Sequence, residues 1–149
     1  MRLLPKKLHS YLNLSRKDRG LLLKAWILLL GIDWSLRLVP FHYLRGWLFN
    51  PPPVSVTAKT DPKDAIERTS GAVNRAARNH IYPMTCLRRA LALKHLLIGS
   101  GIWTELRFGV QRENGGLSAH AWLEYEGQPI NEPQMVEKGF TTLVAQEFA

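Results

Sequence analysis

Cysteine is the scarcest reactive residue in this sequence, since Cys86 is the only one among 149 residues. One thiol excludes a disulfide within the chain and cannot build a zinc site from several cysteines. The histidines His9, His42, His80 and His95 have no metal-ligand spacing among them, so we expect no metal site. A free thiol is compatible with a reducing cytoplasm, which is the location that we expect.

Long hydrophobic runs without charge are absent as well. The most apolar stretch, Leu21 to Val39, is interrupted by Lys24, Asp33 and Arg37. A transmembrane helix needs about 20 predominantly apolar residues, so we expect a buried or partner-facing helix here. The start of the chain also lacks the small-residue cleavage site that follows the apolar core of a signal peptide. These absences argue against membrane association.

Acidic residues are scarce in the first third of the chain. Residues 1–50 contain nine Lys and Arg against two Asp, whereas residues 51–149 contain eleven basic and ten acidic residues. Most of the formal charge of +8 therefore belongs to the N-terminal third. We expect an acidic peptide, protein or membrane surface to dock there. Nucleic acid is not expected, because the sequence has no glycine-aromatic RNA motif and no zinc finger.

Three segments carry the local signals of helices. Their predicted spans are Arg16 to Val39, Asp61 to Asn79 and Thr85 to Ile98. Ser15 and Asp61 are typical N-cap residues, and Pro62 suits the first helical position. Apolar residues crowd all faces of the first helix around Leu21 to Leu30, which predicts packing on more than one side.

The chain is predicted to divide after a stiff spacer. Asn50-Pro51-Pro52-Pro53 favours an extended conformation and cannot continue a helix. We therefore predict a basic helical subdomain over residues 1–50, which docks a partner. A second domain is predicted over residues 51–149, which contain the lone thiol.

After the third helix, the apolar period changes from helical to alternating. The predicted strands are Trp103 to Gln111, Leu117 to Tyr125 and Gln128 to Asn131. Asn114-Gly115-Gly116 and Glu126-Gly127 are typical of tight hairpin turns. Helices followed by a meander of strands indicate an α+β fold, with an N-terminal helical subdomain and then a helix packed with an antiparallel sheet.

Cys86 lies at the start of the third helix if Thr85 is its N-cap. The positive end of the helix dipole and the cations Arg88 and Arg89 then favour the thiolate, which is the reactive form of cysteine. A histidine brought close could take the thiol proton. The alternative is that Cys86 is a small buried hydrophobic residue.

His120 belongs to a strand-like run and is the candidate base. The alternation puts His120 and Trp122 on one face of the strand and Ala121 and Leu123 on the other. An imidazole in this position can serve as the base for Cys86. A histidine in such a run is more often a hydrogen-bonded structural residue than a base, and the case for a base rests on its combination with Cys86.

A third residue could orient the imidazole by accepting its second N–H. A two-residue turn at Glu126-Gly127 would pair Tyr125 with Gln128 and bring Asn131 to the face of the imidazole. A bulge or a longer turn would instead bring Glu132 to that face. Both candidates stay open at this point.

Three residues beside the proposed pair are predicted to contact a substrate: Tyr82, Arg88 and Trp122. Tyr82 precedes the thiol helix, and Arg88 lies in its first turn. Trp122 lies two residues after His120 on the same strand face. For the two aromatic residues, core packing is an equal alternative.

Nearly the whole chain takes part in a resemblance to one family. The segments are Leu21 to Pro40, Tyr82 to Leu93 (YPMTCLRRALAL), Gly101 to Val110, Ala119 to Glu124 (AHAWLE) and Ile130 to Pro133 (INEP). These segments resemble the transglutaminase-like leader peptidases of lasso-peptide biosynthesis. The first segment is similar to the helical start of that family and the second to its nucleophile helix. The last three are similar, in order, to its next strand, its histidine strand and the segment that carries its acid.

The resemblance implies a bacterial cysteine peptidase that removes the leader from a lasso precursor peptide. The chain would be the stand-alone C-terminal half of the family's B protein. By position, Cys86 matches the nucleophile and His120 the base. The acid of the family is usually aspartate. The position of that acid in the family's sequences favours Glu132 as its counterpart, whereas the hairpin geometry favours Asn131. No metal and no organic cofactor is implied.

The resemblance also implies partners. These are the precursor leader, a RiPP recognition element protein that delivers it, and a cyclase that closes the macrolactam on the freed amine. Two other functions stay open. The same fold could transfer an acyl group to an amine, or the chain could be a non-catalytic binding module with a basic helical docking face.

Overall fold

The computed structural model describes residues 13–40, 42–43, 46, 61–131 and 141–143. Within these ranges three helices precede a four-stranded antiparallel sheet. The helices are α1 (Arg16–Leu38), α2 (Pro62–Arg78) and α3 (Cys86–Ile98). The strands are β1 (Glu105–Glu113), β2 (Gly116–Tyr125), β3 (Gln128–Pro129) and β4 (Thr141–Leu143). The predicted α+β class is confirmed.

Each helix begins where its local signals predict. Ser15 accepts the Asp18 N–H at 3.1 Å, and Asp61 accepts the Lys63 N–H at 3.0 Å. The Thr85 hydroxyl accepts the Arg88 N–H at the start of α3. These caps satisfy N–H groups that have no partner inside the helix, so a sequence of a few residues is sufficient to set each start.

The sheet has the order β3-β2-β1-β4. In the β1–β2 ladder, Leu106 lies opposite Leu123 and Gly109 lies opposite His120. Asn114 and Gly115 have φ of 49° and 82°, and Glu126 and Gly127 have φ of 50° and 77°. Both turns therefore place their two central residues in the left-handed region, which matches the twist of hairpin strands.

One buried cluster joins the helices to the sheet. Leu29 of α1, Val73 of α2, Leu91 and Leu97 of α3 and Leu123 of β2 all belong to it. The first helix therefore shares its core with the thiol helix. The spacer at residues 50–53 lies outside the described residues, so the boundary between residues 1–50 and 51–149 stays a prediction.

Helix α1 is packed on one side only within the described structure. Its buried face consists of Ala25, Leu29, Ile32 and Asp33, whereas Leu23 and Ile27 are more than half exposed. The expected packing on a second side is not provided by the described residues. None of the described helices is long and apolar enough to cross a membrane.

Candidate active site

Cys86 is the first residue of α3 and follows the N-cap Thr85 directly. Its thiol is free and half-buried, and the residue packs against the edge of the core beside Met84 and Leu87. No acidic residue lies in the first turn of α3. The positive end of the helix dipole is therefore not offset by a carboxylate within that turn.

The N-cap also determines which backbone N–H groups are left for a ligand. The Thr85 hydroxyl accepts the Arg88 N–H at 3.5 Å, and the Thr85 carbonyl accepts the Arg89 N–H at 3.1 Å. The N–H groups of Cys86 and Leu87 are the first two of the helix and therefore have no acceptor inside it. Two backbone donors thus lie beside the thiol.

Arg88 is held by a buried carboxylate from another helix. Its Nε lies 2.7 Å from Oδ1 of Asp33, and the Arg88 side chain is only 18% exposed. Asp33 is fully buried on α1, and its Oδ2 accepts a hydrogen bond from Arg37 Nε at 2.9 Å. The predicted substrate contact Arg88 therefore also serves to attach the thiol helix to α1.

In the sequence, Asp33 stands out only as a charge that interrupts an apolar run. Its position on the buried face beside Leu29 and Ile32 was a usable signal. An acid among core positions of a helix requires a cation from a neighbouring element, because an unpaired buried charge is costly.

The loop before Cys86 is attached to α1 through aromatic and histidine contacts. The Arg37 guanidinium lies 5.3 Å from the centroid of the Tyr82 ring. His80 Nδ1 accepts the Tyr82 N–H at 3.3 Å, and His80 Nε2 lies 3.3 Å from the Trp26 carbonyl. The neutral tautomer with the proton on Nε2 satisfies both contacts. Tyr82, a predicted substrate contact, is thus a partly exposed residue beside the thiol helix.

The imidazole of His120 lies on the predicted face of β2. Ala121 and Leu123 belong to the core cluster, so strand alternation directs His120 and Trp122 to the opposite side of the sheet. The cross-strand neighbour of His120 is Gly109, which has no side chain to crowd the imidazole. Helix α3 packs against the other face of β2, that of Ala121 and Leu123. This packing by itself does not bring the predicted base His120 and the thiol of Cys86 together.

Trp122 is almost completely buried on the same face as His120. Its indole N–H donates to Glu124 Oε1 at 3.1 Å. Arg107, its neighbour across the ladder, donates through Nε to Glu124 Oε2 at 3.0 Å. The indole is therefore fixed by a carboxylate and a guanidinium, and its predicted contact with a substrate stays a prediction.

Asn131 closes the ladder beyond β3. The predicted pairing of Tyr125 with Gln128 is confirmed, but β3 ends at Pro129. Past that point a side chain replaces a backbone carbonyl as the acceptor for β2, since Oδ1 of Asn131 accepts the Leu123 N–H at 2.8 Å. The oxygen that was expected to accept from an imidazole is thus bonded to the strand. Glu132, the other candidate, lies outside the described residues.

A cavity of about 580 Å³ opens between the start of α1 and α2. Its lining includes Asp18, Asp64, Glu67, Arg68 and Arg75. None of the predicted site residues borders it, so it is separate from the thiol. Among the described residues, no group of three or more His, Cys, Asp or Glu is arranged to hold a metal ion.

Comparison with known proteins identifies the family. Residues 26–145 match the family model described as the transglutaminase-like superfamily. No curated protein and no solved structure matches the chain. Members of the superfamily are generally catalytic and commonly act as cysteine peptidases or acyltransferases. Since the match covers most of the sequence, including Cys86 and His120, the chain belongs to the transglutaminase-like superfamily.

Proposed function

We propose that this protein is a cysteine peptidase that removes the leader from a lasso precursor peptide. The observation that carries the proposal is the position of Cys86. It is the only thiol, it begins α3 directly after its N-cap, and it lies within a transglutaminase-like sequence. The resemblance of the segments around Cys86 and His120 to lasso leader peptidases supplies the substrate class.

The proposed reaction starts with the thiol and the imidazole. In the proposed reaction His120, which lies on the face of β2 away from α3, must reach the thiol to accept its proton, and the Cys86 sulfur then attacks the carbonyl carbon at the junction of leader and core. The C–N bond then breaks, and the imidazolium returns the proton to the leaving amine of the core. A water molecule hydrolyses the thioester and releases the leader as a carboxylate, which regenerates the thiol.

Backbone groups of α3 are the proposed donors to the oxyanion. The N–H groups of Cys86 and Leu87 are left at the helix end because Thr85 already binds those of Arg88 and Arg89. Donors of this kind are worth most where the negative charge develops in the transition state. We propose that Tyr82, Arg88 and Trp122 border the substrate.

We propose Glu132 as the residue that orients the imidazole. The spacing of the resembling family favours it, and the amide oxygen of Asn131 is already bonded to the Leu123 N–H. A carboxylate that accepts the second imidazole N–H would hold the tautomer that the base requires.

The proposal places the protein in the bacterial cytoplasm with three kinds of partner. A recognition-element protein would deliver the leader, and a cyclase would close the macrolactam on the freed amine. The excess of cations in residues 1–50 supports docking of an acidic partner at α1.

The test is cleavage of the precursor encoded beside this protein, in the presence of its recognition protein, followed by mass spectrometry. Wild type should release leader and core, and Cys86→Ala should release neither. Equal cleavage by both proteins would remove the thiol from the mechanism. A leader joined to an added amine would instead establish an acyltransferase. Binding of the precursor without any product would favour the binding-module alternative.

A further inference from the structure

Helix α1 presents an exposed apolar stripe that no described residue covers. Leu23, Ile27, Trp34 and Leu38 are exposed by 53%, 57%, 53% and 72%. Large side chains that lie this open usually mark an interaction site when they adjoin one another. We call these four residues the α1 stripe.

The spacing of the α1 stripe fits contact with another helix. Its members are separated by four, seven and four positions, which at 3.6 residues per turn puts them within an arc of about 60° and along about 22 Å of the helix. This is the spacing of a helix–helix seam. Gly20 and Gly31 are exposed on the same face, and nothing lies within 4 Å of a Cβ built on either, so a second backbone could approach closely there.

The charges on this face have one sign. Arg16, Lys17, Lys24 and Arg37 are exposed. The two acids of the helix are engaged elsewhere: Asp18 pairs with Arg68 of α2, and Asp33 pairs with Arg88 of α3. The exposed face of Arg16–Leu38 therefore combines large apolar side chains with cations and contains no exposed acid.

Charge selects among the possible occupants of the α1 stripe. Residues 1–12 and 41–60 contain five Lys and Arg and no acid, so their charge opposes docking on a basic face. A second copy of the chain would bring the same cations against each other. Residues 141–143 are paired with β1 in the sheet. Residues 132–140 and 144–149 contain three Glu and one Lys, but as helices of nine and six residues they would span only about 14 Å and about 9 Å, short of the stripe. An occupant that is apolar, acidic and long enough therefore has to come from another molecule.

We propose that the α1 stripe docks an acidic amphipathic helix of a partner polypeptide. A bilayer would offer the same charge, but a helix also fits the narrow seam and the two glycines. The inference rests on the proposed function for the choice of partner, namely the precursor leader.

The C-terminal end of the α1 stripe leads to the candidate active site. Arg37 directly precedes Leu38 and lies over the ring of Tyr82, in the loop before Cys86. A helix seated on the stripe would therefore end near the thiol. Docking at α1 and positioning of the scissile peptide would then be parts of one binding event.

The experiment measures binding of the full-length protein to three probes. They are the labelled leader peptide of the precursor encoded beside it, the purified recognition protein, and vesicles of phosphatidylcholine with or without phosphatidylglycerol. Trp34→Ser is compared with Leu117→Ser, because Leu117 is 75% exposed on the sheet. Lys24→Glu is compared with Lys63→Glu on α2. Circular dichroism checks that each variant is folded.

Wild type should bind the leader peptide, and Trp34→Ser should weaken this binding by about tenfold or more. Lys24→Glu should weaken it and reduce its salt dependence, while both controls keep the wild-type affinity. The proposal is overturned by absence of leader binding, by equal losses in Trp34→Ser and Leu117→Ser, or by binding to the recognition protein or to phosphatidylglycerol vesicles alone.

Cleavage by wild type is followed in the same samples, so the two proposals can fail separately. Stripe-dependent binding without cleavage would support docking and contradict the peptidase. Cleavage that does not depend on Trp34 or Lys24 would support the peptidase and contradict docking at the α1 stripe.

Discussion

Asp33 and Arg88 form an ion pair between α1 and the first turn of α3, with Arg88 Nε 2.7 Å from Asp33 Oδ1. Arg88 follows Cys86 by two residues, and the carboxylate is fully buried. Arg37 binds the other carboxylate oxygen and also lies over Tyr82. One buried acid thus connects the helix that carries the thiol with the loop that precedes it, and both depend on α1 for their position.

Removing this acid should destabilise the protein strongly. We expect Asp33→Ala to lower the free energy of unfolding by about 3 kcal/mol or more, since it leaves the largely buried Arg88 without its counter-charge. Urea denaturation measures the loss. Arg37→Ala is the control, because its side chain is 55% exposed and should cost no more than about 1 kcal/mol. Equal losses in the two variants would show that the buried pair has no special role.

The cap of α3 should affect both stability and the reactivity of the thiol. We expect Thr85→Ala to cost about 1 kcal/mol, because the Arg88 N–H loses its acceptor. The same variant should change the rate at which iodoacetamide alkylates Cys86, since a frayed first turn no longer holds the thiol at the helix end. Thr85→Ser keeps the hydroxyl and should retain both properties. Alkylation reports on one site, because the chain has no other thiol.

His120 should control ionisation of the thiol if it is the base. We expect His120→Ala to slow alkylation of Cys86 near neutral pH and to abolish precursor cleavage. His42→Ala, which replaces an exposed histidine, should leave the alkylation profile unchanged. A wild-type profile of alkylation rate against pH in His120→Ala would assign His120 to a structural role on β2.

Substitution of Asn131 should mainly lower stability, whereas substitution of Glu132 should mainly lower the cleavage rate. Asn131→Ala leaves the N–H of the buried Leu123 without an acceptor, which should cost about 1–3 kcal/mol of stability. Asn131→Asp keeps the acceptor and should retain both fold and cleavage. Glu132→Gln should reduce the cleavage rate while the urea midpoint stays at the wild-type value. The reverse pattern, with cleavage lost in Asn131→Asp and kept in Glu132→Gln, would make Asn131 the orienting residue.

Lys94 should make stability depend on pH in the alkaline range. Its Nζ donates to the Thr104 carbonyl at 3.2 Å, and burial lowers the pKa of its ammonium group below the usual 10.5. In the interval between the lowered pKa and 10.5, the unfolded chain binds more protons than the folded one. Stability is therefore expected to rise with pH in that interval.

The matched variant for this effect is Lys94→Met, which keeps the length of the side chain and removes the charge. Urea midpoints at neutral and alkaline pH should rise more in wild type than in Lys94→Met. A parallel pH dependence in both proteins would show that the ammonium group of Lys94 is not strained by burial.

Features that depend on neighbouring residues were predicted well. Ser15, Asp61 and Thr85 begin their helices as expected, since a cap joins residues at most three positions apart. The turn at Glu126 and Gly127 was predicted from the preference of such pairs for left-handed φ. It led to the confirmed pairing of Tyr125 with Gln128.

The candidate site was predictable only in part. The position of Cys86 at a helix start and the face of His120 follow from local patterns. The pairing of Arg88 with Asp33 could not be foreseen, because nothing near either residue indicates its partner. Asn131 was placed beside the imidazole on the assumption that β3 continues, whereas β3 ends at Pro129 and the amide bonds to Leu123.

The α+β class, the helix starts, the hairpin turns and the single thiol follow from the sequence, because they depend on composition and on residues a few positions apart. Which charges are paired and which apolar face stays open depends on how the helices pack together. Asp33 and Ile27 lie in the same apolar run, yet the first is buried between two arginines and the second is exposed. That difference arises from where α3 packs on α1, and long-range packing is not encoded in any local pattern.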